Sequence, residues 1–179
     1  MWKKSLNELG FGNLWISQNV VKEKYTLLKI KQRIFDQAKQ NLLYEIQTSA
    51  KCTLYKHIIM NITLQFYLCK HIPAHYKKYI TKLRLSSLDL EIERGRYNKI
   101  ERSNRICQLC KNDVEDEYHF MLICPVFQDL RTKFIKLYYR QNPSFFKYIQ
   151  LMCTHNSKDL INIGKYIYLA YRLRRSLLL

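Results

Sequence analysis

Three cysteines and one histidine lie close together with the spacing C-x2-C-x8-H-x4-C: Cys107, Cys110, His119 and Cys124. Thiolate and imidazole are ligands that zinc takes in tetrahedral protein sites. Because four such ligands complete the coordination shell, no position remains for a reacting water, and the expected ion is structural. The sequence therefore predicts one structural zinc ion held in a CCHC motif.

Ordinary buried thiols and a core histidine are the alternative interpretation, since that is the usual fate of a lone Cys or His. Four residues in closed ligand spacing favour the metal. Cys107 and Cys110 can present both sulfurs from one tight turn. His119 and Cys124 are separated by about 500° of α-helical rotation, so they cannot share one helical face. We therefore expect His119 in a short helix or turn, and Cys124 at the N-cap of a helix that begins at Pro125, where the helix N-terminus favours a thiolate.

Other residues that could carry chemistry lack the pattern of an active site. Three further cysteines have no ligand spacing, and we expect them to be buried as small apolar residues: Cys52, Cys69 and Cys153. Four acidic residues lie within the motif, where solvation and local capping are simpler explanations than catalysis: Asp113, Glu115, Asp116 and Glu117. The chain has no Gly-rich phosphate loop, no G-x-S-x-G and no H-E-x-x-H. Only one acidic residue follows position 130, so we expect no catalytic centre in this chain.

The chain is strongly basic, with 31 Lys and Arg against 14 Asp and Glu and a net charge of +17. Such an excess favours anionic partners, either phosphate backbones or acidic lipid surfaces. Positions 70–106 hold ten basic and four acidic residues, so the basic charge is densest beside the predicted zinc site. If RNA or DNA is the partner, the predicted phosphate contacts are the basic residues nearest that site: Arg94, Arg96, Arg102, Arg105 and Lys111.

Cysteine usage and hydropathy bear on the compartment. The chain does not begin with an apolar signal segment, and three of its six cysteines have ligand spacing, so we expect a nuclear or cytoplasmic protein that is not secreted. The most apolar run, residues 58–69, is interrupted by polar side chains and is shorter than the roughly 20 apolar residues that span a bilayer. We therefore expect no transmembrane segment and no membrane partner.

Composition and periodicity predict an all-α fold, a multi-helix domain with the zinc motif embedded in it as a small knot. Four Gly and three Pro leave few positions for tight hairpins. Apolar residues recur at steps of three and four over residues 21–47, which predicts a long helix with one buried stripe: Leu27, Ile30, Ile34, Ala38, Leu42 and Ile46.

The predicted organisation has three parts that form one compact unit: a helical N-terminal part (1–97), the zinc-binding motif (98–125) and a C-terminal three-helix part (126–179). A connector over residues 86–106, with a turn at 93–97, leads to the cysteines. The last helix should begin near Asn156 or Ser157. Its last turn carries Arg172, Arg174 and Arg175, and cations there suit the negative end of the helix dipole.

Several short blocks together resemble a known family: EIERGRY at 91–97, RIC-x2-C at 105–110, EDEYHF at 115–120, CP at 124–125 and DLR at 129–131. They look like the segment that follows the reverse transcriptase domain in LINE-type (non-LTR) retrotransposon polyproteins of invertebrates. The resemblance implies a zinc-binding C-terminal piece that helps to hold template RNA or target DNA. It also implies that the upstream reverse transcriptase domain is a possible partner, while the paired aspartates of that polymerase have no match here.

Two functions of different classes follow from the sequence. In the first, basic helices and the zinc motif bind nucleic acid without a catalytic centre in the chain. In the second, the chain is a helical protein-interaction or scaffold domain, and the zinc only joins the connector to the C-terminal helices. A residual nuclease is the weakest hypothesis, since it would depend on the acidic residues of the motif.

Overall fold

The computed structural model describes residues 1–19, 23–59 and 62–179. These residues are mainly helical, and their β pairing is an isolated antiparallel bridge between Ile106 and Val114, so the all-α prediction is confirmed. The chain divides into two compact units, Met1–Thr48 and Ser49–Leu179. The sequence pattern did not indicate this division, and the predicted boundaries at 97/98 and 125/126 both fall inside the second unit.

The first unit contains α1 (Trp2–Glu8), α2 (Gly12–Ser17) and α3 (Glu23–Thr48). The long helix predicted over residues 21–47 is confirmed from Glu23 onward, and its first two positions lie outside the described residues. The prediction of a buried stripe is wrong, because only Ile46 of its six residues is buried and Leu27 is 58% exposed. Within this unit the reason is length: α1 and α2 have seven and six residues and cannot cover a 26-residue helix.

The second unit contains eight α-helices among its described residues: α4 (Tyr55–Ile58), α5 (Phe66–Cys69), α6 (Ala74–Arg84), α7 (Glu91–Tyr97), α8 (Gln128–Phe134), α9 (Leu137–Arg140), α10 (Phe145–Met152) and α11 (Ser157–Leu177). The side chain of Asn156 caps α11 by accepting from the backbone N–H of Lys158 and Asp159, which confirms the predicted start of this helix. None of the helices in the described ranges has the length and apolarity needed to cross a bilayer.

Helices α6 and α11 pack closely and form one side of the core. Their contact faces bury Ile80 and Leu83 on α6 and Ile163 and Ile167 on α11. Gly164 lets the helices approach, since a Cβ at this position would lie 2.5 Å from the Cβ of Tyr76. Helix α11 of this pair also contacts the cysteine motif, since the Tyr166 hydroxyl donates to the carbonyl of Phe120 at 2.8 Å.

Two local predictions differ from the structure. The turn predicted at residues 93–97 belongs to helix α7, whose first backbone N–H groups bind Glu115: Glu91 donates to its carboxylate, and Ile92 donates to its carbonyl. The first of the three helices predicted in the C-terminal part is divided into α8 and α9 in the structure. The division occurs because Ile135 between them is extended and buries its side chain in the core. The first difference depends on Glu115, which is 24 positions from Glu91 in the sequence, and the second depends on the burial of Ile135 in the core.

Candidate metal centre

The segment Ile106 to Val114 folds into a tight hairpin-like turn that carries Cys107 and Cys110. The backbone N–H of Cys107 donates to the carbonyl of Asp113 at 2.9 Å, and the N–H of Lys111 donates to the carbonyl of Cys107 at 2.9 Å. Lys111 adopts a left-handed conformation (φ +55°), which reverses the chain after the second cysteine. The prediction that one turn presents both sulfurs is confirmed.

His119 and Cys124 are joined by a π-helical turn, His119–Ile123. Asp116 caps its start, because its carboxylate accepts from the backbone N–H of His119 at 2.9 Å. The N–H of Cys124 donates to the carbonyl of His119 at 2.8 Å, and this i→i+5 bond brings two residues that are five apart alongside each other. Cys124 then precedes a 3-10 turn, Pro125–Phe127, so the predicted positions of both ligands are confirmed.

The four side chains predicted as ligands converge on one point. Their ligand atoms all lie within 4.8 Å of one another, and Cys110 Sγ is 3.3 Å from His119 Nε2. Sulfurs bound to one tetrahedral ion at about 2.3 Å lie about 3.8 Å apart, so small side-chain movements would complete the shell. Cys107, His119 and Cys124 are buried, and Cys110 is half-buried. The cluster can therefore hold a metal ion.

The pKa values of the thiols reflect how closely they are placed. The pKa of Cys107 is lowered to about 3, first because the Cys124 thiol donates to its sulfur, although burial opposes this change. The pKa of Cys124 is raised, first by the same hydrogen bond and then by burial. The N–H of Val126 lowers the pKa of Cys124, as expected for a thiol at a helix N-terminus, but by less than these two effects raise it. A bound cation would stabilise these sulfurs as thiolates.

Glu115 and Arg174 form a buried ion pair next to the cluster. Nε and Nη2 of Arg174 each donate to one carboxylate oxygen of Glu115 at 2.7 Å, and Glu115 Oε1 lies 3.8 Å from Cys107 Sγ. Two interpretations are corrected here, since Arg174 is not simply a dipole-stabilising cation at a helix end and Glu115 is not solvated. The ion pair joins the cysteine turn to α11 and, through the N–H of Glu91, to α7.

Arg131 on α8 holds the other half of the motif. Its Nε donates to the carbonyl of Met121 at 2.9 Å, and its Nη2 donates to the carbonyl of Cys124 at 2.7 Å. Nη1 donates to the side chain of Gln128 at 2.8 Å. The side chain thus satisfies carbonyls at the end of the π-helical turn and positions Cys124. Sequence reasoning missed this role, although the placement of an arginine soon after Cys-Pro was visible.

The remaining acidic residues and cysteines differ in part from expectation. Glu117 is buried rather than solvated, and burial raises the pKa of its carboxyl to about 7. Asp116 does cap a helix, as predicted. Cys69 is exposed and Cys52 and Cys153 are half-buried, so the expectation that these three are buried is wrong. All six cysteines are free.

The five predicted phosphate contacts differ in their availability. Three pair with carboxylates: Arg94 with Glu91, Arg96 with Glu93 and Arg102 with Asp116. Arg105 is half-buried and donates to the carbonyls of Ile92 and Ile100. Lys111 is exposed at the tip of the turn. Their role in binding stays a prediction, and the geometry favours Lys111 and the exposed side chains of Arg94 and Arg102 over Arg105.

No protein-family model, curated protein or solved structure matches the chain. The resemblance to the LINE-type segment therefore stays a prediction that depends on the short blocks in the sequence.

Proposed function

We propose that Cys107, Cys110, His119 and Cys124 bind one structural Zn²⁺, and that the zinc-stabilised chain binds nucleic acid without a catalytic centre of its own. Three sulfurs and one imidazole form a soft ligand set that suits zinc better than magnesium or calcium, which prefer oxygen. The closed set leaves no open position for water. The ion would hold the hairpin against the π-helical turn.

The charge distribution of the second unit is the observation that carries the nucleic-acid proposal. Residues 49–179 contain 23 Lys and Arg and ten Asp and Glu, and eight of those acids lie between positions 89 and 117. Residues 49–88 have seven basic residues and no acid. The positive charge outside the 89–117 segment is therefore little compensated, as expected for a surface that neutralises phosphates.

The surface of α6 and α11 combines this charge with aromatic rings. The ring centroid of Tyr168 on α11 lies 5.5 Å from that of His75 and 5.2 Å from that of Tyr79 on α6. The guanidinium of Arg172 lies over the Tyr168 ring, and Lys78 is exposed nearby on α6. Basic side chains interleaved with aromatic rings are typical of surfaces that bind single-stranded nucleic acid.

The resemblance in the sequence supports a more specific form of the proposal. In that form the chain is the C-terminal fragment of a retrotransposon-derived reverse transcriptase polyprotein of the LINE type, with RNA or DNA as its ligand in the nucleus or cytoplasm. A reverse transcriptase domain of the same polyprotein would then be a partner of this segment.

A helical protein-interaction or scaffold domain is the second candidate, and one observation favours it. Helix α3 exposes large apolar side chains, among them Leu28 at 57% and Phe35 at 62%. Monomeric proteins seldom leave several such residues uncovered on one helix. Under this proposal the zinc ion only stabilises the second unit.

Filter binding of single- and double-stranded RNA and DNA at two salt concentrations tests the first proposal. We expect binding at low salt that weakens strongly as salt increases, because bound phosphates release counterions. The double variant Lys78→Gln and Arg172→Gln should weaken binding and lower the salt dependence, while the matched variant Lys3→Gln and Lys4→Gln in the first unit should not. No binding at low salt would exclude the nucleic-acid proposal and favour the scaffold.

A further inference from the structure

A cavity of about 380 Å³ lies in the second unit between the segment around α5 and the end of α10. Its volume is within the range of small-molecule sites, about 300–1,000 Å³. None of the four metal-site residues lines it. Its wall combines apolar side chains, such as Met152 and Leu160, with a few polar groups. One of these polar groups is the guanidinium of Arg84, which is buried.

Arg84 is a buried cation that pairs with no carboxylate among the described residues. Its Nη1 donates to the carbonyl of Met152 at 2.8 Å, and its Nη2 donates to Gln65 Oε1 at 2.7 Å. Its Nε is buried without a hydrogen-bond partner in the described chain, and the guanidinium lies over the rings of Tyr67 and Tyr55, 5.0 Å and 5.9 Å from their centroids. Two of the five guanidinium N–H groups are therefore used, although burying a charge is costly unless it is well paired.

Arg131, the other buried arginine without a carboxylate partner in the described residues, shows what a purely structural role requires. Each of its three nitrogens donates to an oxygen of the protein, two of them to carbonyls of the cysteine motif. It lines none of the cavities described. Arg84 differs in both respects, since one nitrogen is unpaired and the side chain borders a cavity. Hydrogen bonds within the protein therefore account for the burial of Arg131 more completely than for the burial of Arg84.

The wall beside Arg84 offers a place for a flat ring. His155 stacks on Phe66, with ring centroids 4.4 Å apart and planes 16° apart, and Lys70 Nζ lies 4.2 Å from the centroid of the Phe66 ring. The two aromatic rings belong to the cavity lining. Lys70 adds a second positive charge near the wall, and residues 49–88 contain no acid that would repel an anion.

We infer that this cavity binds a small aromatic oxyanion, in which a phosphate or carboxylate contacts Arg84 and a flat ring lies against His155. The oxyanion would supply the counter-charge that Arg84 lacks and would accept from the second N–H group of Nη1 or Nη2, each of which donates once within the described chain. The ring would extend the stacked pair of His155 and Phe66. The inference is independent of nucleic-acid binding by the surface of α6 and α11.

Calorimetric titration of the full, metal-containing chain with AMP, adenosine and benzoate tests the site. We expect one AMP per chain, bound at least about tenfold more tightly than adenosine, because a hydrogen bond to a buried charged group is worth about one factor of ten or more. Tighter binding of benzoate than of AMP would identify a carboxylate as the preferred oxyanion. Equal affinity for AMP and adenosine, or no saturable binding of either anion, would overturn the inference.

Three variants separate this cavity from the general basic surface. Arg84→Gln removes the cation, and Thr63→Phe adds bulk to the cavity wall at an exposed position. Each should weaken AMP binding by about tenfold or more. Lys133→Gln removes an exposed charge of the same sign outside the cavity and should change the affinity by less than about twofold.

Thr63→Phe keeps the test decisive even if Arg84→Gln fails to fold, because it leaves the hydrogen bonds of Arg84 intact. Unchanged AMP affinity in Thr63→Phe, or equal losses in all three variants, would refute the inference.

Discussion

Replacing Arg174 with leucine would leave the Glu115 carboxylate buried without its counter-charge. The side chains of the pair are 2% and 1% exposed, and both hydrogen bonds are 2.7 Å long. Breaking such a pair costs about 3–5 kcal/mol because the remaining charge is uncompensated. For a chain of this length, that loss lowers the melting temperature by about 6–20 °C. Thermal and urea unfolding of the metal-loaded protein, followed by circular dichroism, would measure both quantities.

Arg175→Leu is the matched control, since Arg175 lies in the same last turn of α11 but is exposed. A cation that acts only on the helix dipole contributes about 0.3–1 kcal/mol, so Arg175→Leu should cost no more than that. If Arg174→Leu costs as little as Arg175→Leu, the buried ion pair has no structural role and the reasoning is refuted.

The double variant Arg174→Leu and Glu115→Leu distinguishes lost attraction from a buried unpaired charge. Two apolar side chains that fill the same space remove both charges, so most of the loss in Arg174→Leu should be recovered. The N–H of Glu91 then loses its acceptor, which leaves a deficit of about 1–3 kcal/mol. A double variant as unstable as Arg174→Leu would contradict this account.

Further predictions concern the metal, a close helix contact and a helix cap. Metal analysis should find one zinc per chain, and Cys107→Ser should lose both the metal and stability, whereas Cys69→Ser, outside the cluster, should lose neither. Zinc should also be released as pH falls, because thiolate ligands must be deprotonated. Gly164→Ala should destabilise the protein by about 1–3 kcal/mol despite the better helix propensity of alanine, because the new Cβ would meet Tyr76 at 2.5 Å. Asn156→Ala should cost about 1 kcal/mol through loss of the α11 cap, measured by urea unfolding.

A specific result would contradict each of these predictions. Zinc well below one per chain, or unaltered folding in Cys107→Ser, would remove the basis of the metal proposal. A stabilising Gly164→Ala would mean that α6 and α11 can separate without cost, and a neutral Asn156→Ala would mean that water replaces the cap.

The cysteine motif and several helix boundaries could be predicted from the sequence because the interactions that define them are local. The ligands lie within eighteen residues, and the turn geometry between them depends on neighbours only a few positions away. The Asn156 cap likewise involves Lys158 and Asp159 next to it in the chain. The all-α fold class could be predicted from composition for the same reason, since helix propensity and capping act within one or two helical turns.

Contacts between distant residues account for what could not be predicted. Glu115 and Arg174 are 59 positions apart, and each alone has an ordinary explanation, as a solvated acid and a helix-terminal cation. Arg84 and the carbonyl of Met152 are 68 positions apart, so neither the buried charge nor the cavity beside it has a local signature. An α-helical rotation also could not place His119 and Cys124 together, whereas the folded chain does so with a π-helical turn. Local spacing sets which side chains can bind a metal, and tertiary packing sets which charges are buried, because burial depends on every element that covers a residue.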